Sequence, residues 1–350
     1  MDKHEEFMRI ALELAERGRG MVEPNPLVGA VIVNDNKIVG RGYHKAFGGP
    51  HAEVNAINDA GDNSKGATLY VTLEPCTHHG KTPPCVKAIK QAGIKNVVFA
   101  VYDPNPAVEE NRANELSEAG IVVISGILKE KATEINAPFL KLIKEKMPYV
   151  IAKWAMSLDG KIAASTGSSR WISSEESRLR VHKIRGEVDA IMVGIGTVMA
   201  DDPLLTCRSG NAKRVPKRII IDNRASLSLD SQLIKTINDA EVFVAVTNLA
   251  AEDRIKRLEN AGCKIIKVET AEGLVDLKQV FENLGRMQLT NVLVEGGGKI
   301  FGSLFDNCLV DKVMIFVAPK IIGDTGAKSP VLGSGIKDIS QSVQLENVKT

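Results

Sequence analysis

The residues best suited to chemistry are His51, Glu53, Cys76 and Cys85. His51-Ala52-Glu53 is followed by Thr72-Leu73-Glu74-Pro75-Cys76, and Cys85 comes after eight further residues. One imidazole and two thiolates make a three-ligand set for Zn²⁺ and leave the fourth tetrahedral position open for water. An open position distinguishes catalytic from structural zinc, because water held there is acidified to a pKa near ~7. Glu53, two residues beyond His51 at the start of a helix, reaches that water without ligating. It can carry the proton to a ring nitrogen and a departing ammonia. Cys76 and Cys85 are each expected near a helix N-terminus, where the dipole favours thiolate. Two other readings stay open on these residues alone: a closed structural zinc knot, with His78 or His79 as fourth ligand, or two unrelated buried cysteines.

These residues need a scaffold. Phe7, Ile10, Ala11 and Leu14 recur at helical spacing, and Gly18 and Gly20 end that segment. Residues 27–33 and 38–39, joined by Asn34-Asp35-Asn36, read as a hairpin. Residues 67–73 and 96–101 read as buried strands, and helices are expected after His51, Cys85 and Asn111. The composition turns charged at Lys141, Lys144, Glu145 and Lys146, which places a domain boundary between residues 146 and 147. A second α/β series follows. Strands are predicted at 149–154, 189–193, 218–221, 242–246, 291–294 and 312–317, and helices at 175–185, 252–260 and 300–305. Both halves therefore read as layered α/β domains.

Composition narrows the function classes. The 350 residues suffice for about two domains. At 44% hydrophobic and 25% charged, a core can form without disulfide staples. The 45 basic and 43 acidic residues leave a net charge of +2, which gives no electrostatic reason to expect nucleic acid or an anionic membrane as partner. No apolar run is long enough to span a bilayer, and the N-terminus lacks the pattern of a secretory signal. Five cysteines, with only Cys76 and Cys85 close together, suit a reducing cytoplasm with one metal site. The expected partner is a small-molecule substrate, and the expected assembly a homo-oligomer.

His-x-Glu with a later Pro-Cys-x-x-Cys is the zinc deaminase signature, and this chain departs from it in placing eight residues between Cys76 and Cys85. The longer pattern is more specific. Pro24-Asn25-Pro26-Leu27-Val28-Gly29, Gly42-Tyr43-His44, His51-Ala52-Glu53-Val54 and the run from Leu73 to Cys85 resemble the bifunctional riboflavin biosynthesis deaminase/reductase family. The resemblance implies a cytidine-deaminase-like α/β/α domain over 1–146 and a diaminopyrimidinone substrate carrying a ribosylamino 5-phosphate. It places Asn25, His44 and Lys81 beside that substrate. The chain departs from the family at Glu110-Asn111-Arg112, where two glycines usually flank a basic residue.

The second half resembles the same family's reductase domain, which implies a dihydrofolate-reductase-like α/β fold over 147–350. The resemblance rests on the run from Ala152 to Ala163, Ser169-Arg170-Trp171-Ile172-Ser173, Gly194-Ile195-Gly196-Thr197, Asp201-Asp202-Pro203-Leu204-Leu205-Thr206 and Glu295-Gly296-Gly297-Gly298. It implies one more strand beyond Val348, which this sequence does not contain. Independently of the family, Gly296, Gly297 and Gly298 lie between an apolar strand and a helix. Backbone amides can approach a pyrophosphate there, and the helix N-terminus favours its charge. A plain strand-to-helix turn is the competing reading. The resemblance implies zinc, one per chain, and NADPH as cofactors. It assigns Ala155, Trp171, Thr197, Asp201 and Asn223 to the cofactor, and Ser169, Arg185, Leu205, Arg208 and Glu295 to the substrate. Arg185 and Arg208 would grip its phosphate. Lys153 and Glu295 are candidates for proton handling, with a structural salt bridge as the alternative. Three other functions compete: a deaminase with an inactive second domain, a nucleic-acid-editing deaminase, and a non-catalytic zinc-stabilised binding module. The near-neutral charge counts against the second, and Glu53 beside an open metal position against the third.

Overall fold

The computed structural model describes the chain except Met1, residues 78–82, residues 105–111, Ser209, Asn211 and Glu272. It divides into two compact units, Met1–Lys146 and Met147–Thr350.

The first unit runs α1 (Lys3–Glu16), β1 (Gly29–Asn34), β2 (Lys37–Tyr43), α2 (Ala52–Ala60), β3 (Thr68–Leu73), α3 (Cys85–Gln91), β4 (Asn96–Val101), α4 (Arg112–Glu118), β5 (Val122–Ser125), α5 (Lys129–Ile135) and α6 (Ala137–Glu145). Its sheet has the order β2-β1-β3-β4-β5, antiparallel across β2, β1 and β3 and parallel from β3 to β5. Successive side chains of a strand point to opposite faces. Ala30 and Ile32 therefore join Ala56 of α2 and Ile89 of α3 in one core, while Val31 and Val33 join Met8 and Ala11 of α1 in another. Glycines set how closely the helices sit. A Cβ on Gly40 would lie 2.4 Å from the Ala56 carbonyl oxygen, and one on Gly42 only 2.2 Å from that of Ala52. The backbone of α2 thus rests directly on β2.

The second unit runs β6 (Tyr149–Ser157), α7 (Glu175–Arg185), β7 (Ala190–Gly194), α8 (Ile195–Asp201), β8 (Lys217–Ile221), α9 (Gln232–Lys235), β9 (Val242–Val246), α10 (Glu252–Asn260), β10 (Lys264–Lys267), β11 (Thr270–Ala271), β12 (Leu274–Val275), α11 (Leu277–Arg286), β13 (Asn291–Val294), α12 (Gly298–Asp306) and β14 (Lys312–Ala318). The large sheet has the order β10-β9-β8-β7-β13-β6-β14, with every pairing parallel. A parallel sheet is covered on both faces, which explains the unbroken apolar runs Val242–Val246 and 292–294, buried throughout. Phe281 and Phe301 of α11 and α12 cover one face, and Val198, Leu233 and Leu258 of α8, α9 and α10 cover the other. Because all strands run the same way, Gly194, Asn223, Thr247 and Glu295 emerge together at the C-terminal ends of the strands.

Candidate active sites

His51 is the N-cap of α2, and Glu53 lies in its first turn. Cys76 follows β3, and Cys85 opens α3. The backbone N–H of Cys85 donates to Cys76 Sγ at 3.3 Å, so both sulfurs meet the N-terminus of α3. His51 Nδ1 stands 3.2 Å from Cys85 Sγ and 3.5 Å from Cys76 Sγ, and all three ligand atoms lie within 4.8 Å of one another. Usual zinc–nitrogen and zinc–sulfur lengths at a tetrahedral angle put such atoms roughly 3.6 Å apart. The donor set therefore fits zinc, and it is the only such group of three among the described residues. A hydrogen bond from Cys85 and another with His51 hold the Cys76 thiol down to about 4, while Cys85 is pushed up by sharing its proton with Cys76 and by burial. Glu53 is 3% exposed, and burial first, then the Cys76 charge, push its carboxyl up to about 7.

Asn25 and His44 also converge here. His44 is buried, its ring 5.7 Å from that of His51. Its Nδ1 lies 3.1 Å from the Pro50 carbonyl oxygen, which can only accept, so Nδ1 carries the proton. Nε2 then accepts from Asn25 Nδ2 at 3.1 Å. Burial lowers the His44 pKa, which keeps this neutral tautomer. Lys81, His78 and His79 lie outside the described residues, as do Glu110 and Asn111.

In the second unit, Glu295 directly follows β13. Its carboxylate accepts from Arg185 Nε at 2.5 Å and Nη2 at 2.9 Å, and Lys153 Nζ lies 3.7 Å away. Burial tends to raise the Glu295 pKa, but the Arg185 and Lys153 charges overcome it and hold the carboxyl below its usual range. Burial lowers the Lys153 pKa, against the pull of Glu295. The Arg185 fork, expected to face the substrate phosphate, is engaged here by Glu295, and Nη1 donates to the Thr206 carbonyl at 3.3 Å. Arg208 is exposed and has no carboxylate partner among the described residues. Its backbone N–H donates to His182 Nδ1 at 3.3 Å, and its Nη2 stands 3.5 Å from His182 Nε2. Burial and the two arginines lower the His182 pKa. His182 was not anticipated, although its i,i+3 spacing to Arg185 on α7 was a usable signal. Leu205 was expected on the substrate side. Its side chain is 2% exposed and packs with Ile191, Val198 and Ile220, so only its backbone can face a ligand.

The two glycine loops meet at the C-terminal ends of the adjacent strands β7 and β13. The Gly194 N–H points to the Gly296 carbonyl at 3.4 Å, and a Cβ on Gly296 would come within 3.2 Å of Thr197 Oγ1. Gly297 has φ +99°, which other residues rarely adopt. A Cβ on Gly298 would meet Leu332 Cδ1 at 2.8 Å and the Ser329 carbonyl at 3.1 Å. Ala155 lies in β6 beside Phe316 of β14. Asn223 follows β8, and its amide is held on both sides: it accepts from Thr247 Oγ1 at 2.5 Å and donates to the Gly273 carbonyl at 2.7 Å. Trp171 is 62% exposed, with the Arg178 guanidinium 4.4 Å from its ring centre. Asp201 ends α8 and pairs with Arg170 at 3.9 Å, and Ser169 is half-buried beside it in sequence.

Fold and site together define a two-domain enzyme: a zinc-dependent deaminase of the cytidine deaminase fold, followed by a reductase of the dihydrofolate reductase fold. The family model for the cytidine and deoxycytidylate deaminase zinc-binding region matches residues 1–101, and that for the RibD C-terminal domain matches residues 148–350. The riboflavin biosynthesis protein RibD of Actinobacillus pleuropneumoniae is 42% identical over 97% of this chain and 90% of its own length. A structure of RibD from Acinetobacter baumannii superposes with a TM-score of 0.86 at 36% identity, covering 98% of this chain and 93% of that one. The deaminase/reductase from Thermotoga maritima superposes at 0.83 with 38% identity, covering 97% and 93%. The chain belongs to the RibD family of bifunctional riboflavin biosynthesis enzymes. It is a deaminase and a reductase, with zinc and NADPH as cofactors.

Proposed function

We propose that the first unit deaminates 2,5-diamino-6-ribosylamino-4(3H)-pyrimidinone 5′-phosphate, and that the second reduces the product's ribosyl group to ribityl. The product is 5-amino-6-(5-phosphoribitylamino)uracil. The observation that carries the deaminase assignment is the convergence of His51, Cys76 and Cys85 within 4.8 Å, next to a buried Glu53. These three residues would hold the zinc, which would supply the acidity that lets a water attack near neutral pH. Glu53 takes the proton released and hands it first to the ring nitrogen, then to the departing ammonia. Asn25 and the neutral His44 hold the ring over the site, and Lys81 is assigned to the substrate by the resemblance alone.

In the reductase, Gly296, Gly297, Gly298 and Thr197 form the cofactor cradle, with Ala155, Trp171, Asp201 and Asn223 around it. NADPH held there would supply the hydride for C1′ of the ribosyl group. Lys153 delivers the proton to the ring oxygen as the sugar opens, and Glu295 holds Lys153 in place. Arg208 takes the phosphate, Arg185 fixes Glu295, and Ser169 and the Leu205 backbone line the substrate side. We also infer a cytoplasmic homo-oligomer with no nucleic-acid or membrane partner. The net charge of +2, the five free cysteines, and the exposed Ile315 and Val317 of edge strand β14 support that reading. Among the described residues, no helix is long and apolar enough to cross a membrane.

Glu53→Gln tests the deaminase assignment. Zinc should remain and ammonia release should fall at least ~10²-fold, the scale of general acid–base catalysis. NADPH oxidation on the already deaminated intermediate should stay near the wild-type rate. Surviving ammonia release would remove Glu53 from the proton path. Loss of both activities with zinc and fold retained would refute the two-site reading.

A further inference from the structure

The segment after β14, residues 319–334, has little regular structure, yet it is stitched to two separate parts of the reductase unit. At one end it meets the loop that follows β6. The Leu158 N–H donates to the Lys320 carbonyl at 2.8 Å, and the Asp159 carboxylate accepts from Ile322 N at 3.1 Å and Gly323 N at 2.8 Å. Ile162 and Ala163 then exchange backbone hydrogen bonds with Lys328 at 2.9 and 3.1 Å. At the other end it lies along α12, from its first residue to its last. Leu332 N donates to the Gly298 carbonyl at 2.9 Å, and Ser334 N donates to Asp306 Oδ2 at 2.8 Å. The approach is tight: a Cβ on Gly302 would lie 2.3 Å from the Leu332 carbonyl. Gly298 and Gly302 are thus small because this segment crosses them. In addition, Lys320 Nζ donates to the Trp171 carbonyl at 2.6 Å.

We propose that residues 319–334 form a strap that holds the Gly296–Gly298 loop at Gly298, while Thr197 abuts it at Gly296, and that Asp159 is its clasp and so a positioning residue for NADPH. The proposal rests on the reading of that loop as the cofactor cradle. Asp159 touches no reacting atom. It gathers two amides that the strap's irregular backbone would otherwise leave to water, and a second carboxylate, Asp324 of the strap itself, accepts from Ser165 further along the same loop. Hydrogen bonds from Ser157, Gly323 and Ile322 hold its carboxyl down to about 2, so the clasp stays charged throughout the neutral range.

Asp159→Ala and Asp159→Asn test the clasp, assayed as NADPH oxidation on the deaminated intermediate. The KM for NADPH should rise about 10-fold or more in the alanine variant, the scale of a lost hydrogen bond to a charged group. The asparagine variant, which keeps one acceptor, should fall between alanine and wild type, and kcat at saturating NADPH should change far less than KM in both. Zinc content and ammonia release, which belong to the other unit, should be unchanged, and the retained kcat at saturating NADPH shows that the reductase unit has folded. Hydrogen exchange supplies the readout that a merely structural role would not move. Coupling is reciprocal, so NADPH should slow exchange at Ile322, Gly323 and Leu332 in the wild type, and restore protection in Asp159→Ala only at higher concentration. A wild-type KM in Asp159→Ala, or strap amides indifferent to NADPH, would overturn the proposal. Gly297→Ala separates it from the reading beneath it. If Gly297→Ala weakens NADPH and Asp159→Ala does not, the strap idea fails alone. If Gly297→Ala leaves NADPH binding intact, the cradle reading falls and the proposal with it.

Discussion

Replacing Glu295 with glutamine keeps the shape of the side chain and removes one buried charge. In the native chain its two oxygens take Arg185 Nε at 2.5 Å and Nη2 at 2.9 Å. Glutamine turns one of those acceptors into an NH2 donor facing another donor. The Arg185 side chain is only 14% exposed and that of Glu295 7%, so water recovers little of the loss. Breaking a buried ion pair from one side costs about 3–5 kcal/mol. Arg185 Nη1 keeps the Thr206 carbonyl, and the remaining glutamine oxygen still accepts one N–H, so the expected cost is near the lower end, about 3 kcal/mol. For a unit of about 200 residues this lowers the thermal midpoint by about 6–12 °C. The assay is calorimetry with both activities followed on the same heated samples. NADPH oxidation should be lost earlier in the variant, while ammonia release holds. The pH dependence has a definite sign. Glu295 titrates in the folded chain below its unfolded value of about 4.3, so its contribution is complete above that pH and is lost as pH falls through the folded value. The gap between wild type and variant should therefore close in acid. An unchanged midpoint at neutral pH, or a gap that widens as pH falls, would refute the assignment of a stabilising buried pair.

Cys85→Ala should abolish stoichiometric zinc, because two remaining protein ligands are too few for a stable site, and elemental analysis of wild type against variant decides it. Arg208→Ala should weaken use of the phosphorylated reductase substrate by about 1.5–3 kcal/mol in kcat/KM and affect its dephosphorylated analogue far less. Equal losses on both substrates would assign Arg208 a structural part instead.

The metal site was the most legible part of the sequence, because few side chains bind zinc and their order along the chain restricts how they can meet. Which helix presented them was also readable: polar residues at the start of α2 and a cysteine opening α3 mark helix ends. The reductase was harder. Arg185 and Glu295 lie far apart in sequence, and nothing in their spacing says that they pair with each other rather than with a ligand. Leu205 was placed by motif alone, whereas its apolar side chain obeyed burial and went into the core. Strand β5 is short, with Val122 53% exposed, and α8 and α9 are too short for a periodic pattern to emerge. Helix α11 was different: Leu277, Val280, Phe281 and Leu284 follow helical spacing behind the capping Asp276, a signal present in the sequence but absent from the elements predicted from it.

The contact of α2 with β2 through Gly40 and Gly42 bears on how this deaminase can evolve. The helix that begins at the zinc ligand and carries Glu53 is seated on the sheet by main-chain atoms, at distances that leave no room for a methyl group. Changing the apolar side chains around α2 therefore cannot slide His51 or Glu53 relative to the cysteines. The chemistry is locked to the backbone, while the loops around it remain open to substitution. Divergence toward a different amino-substituted ring must then proceed through those loops, with the metal and its proton carrier passed on unchanged. A saturation scan would show that as intolerance at two glycines that touch neither metal nor substrate.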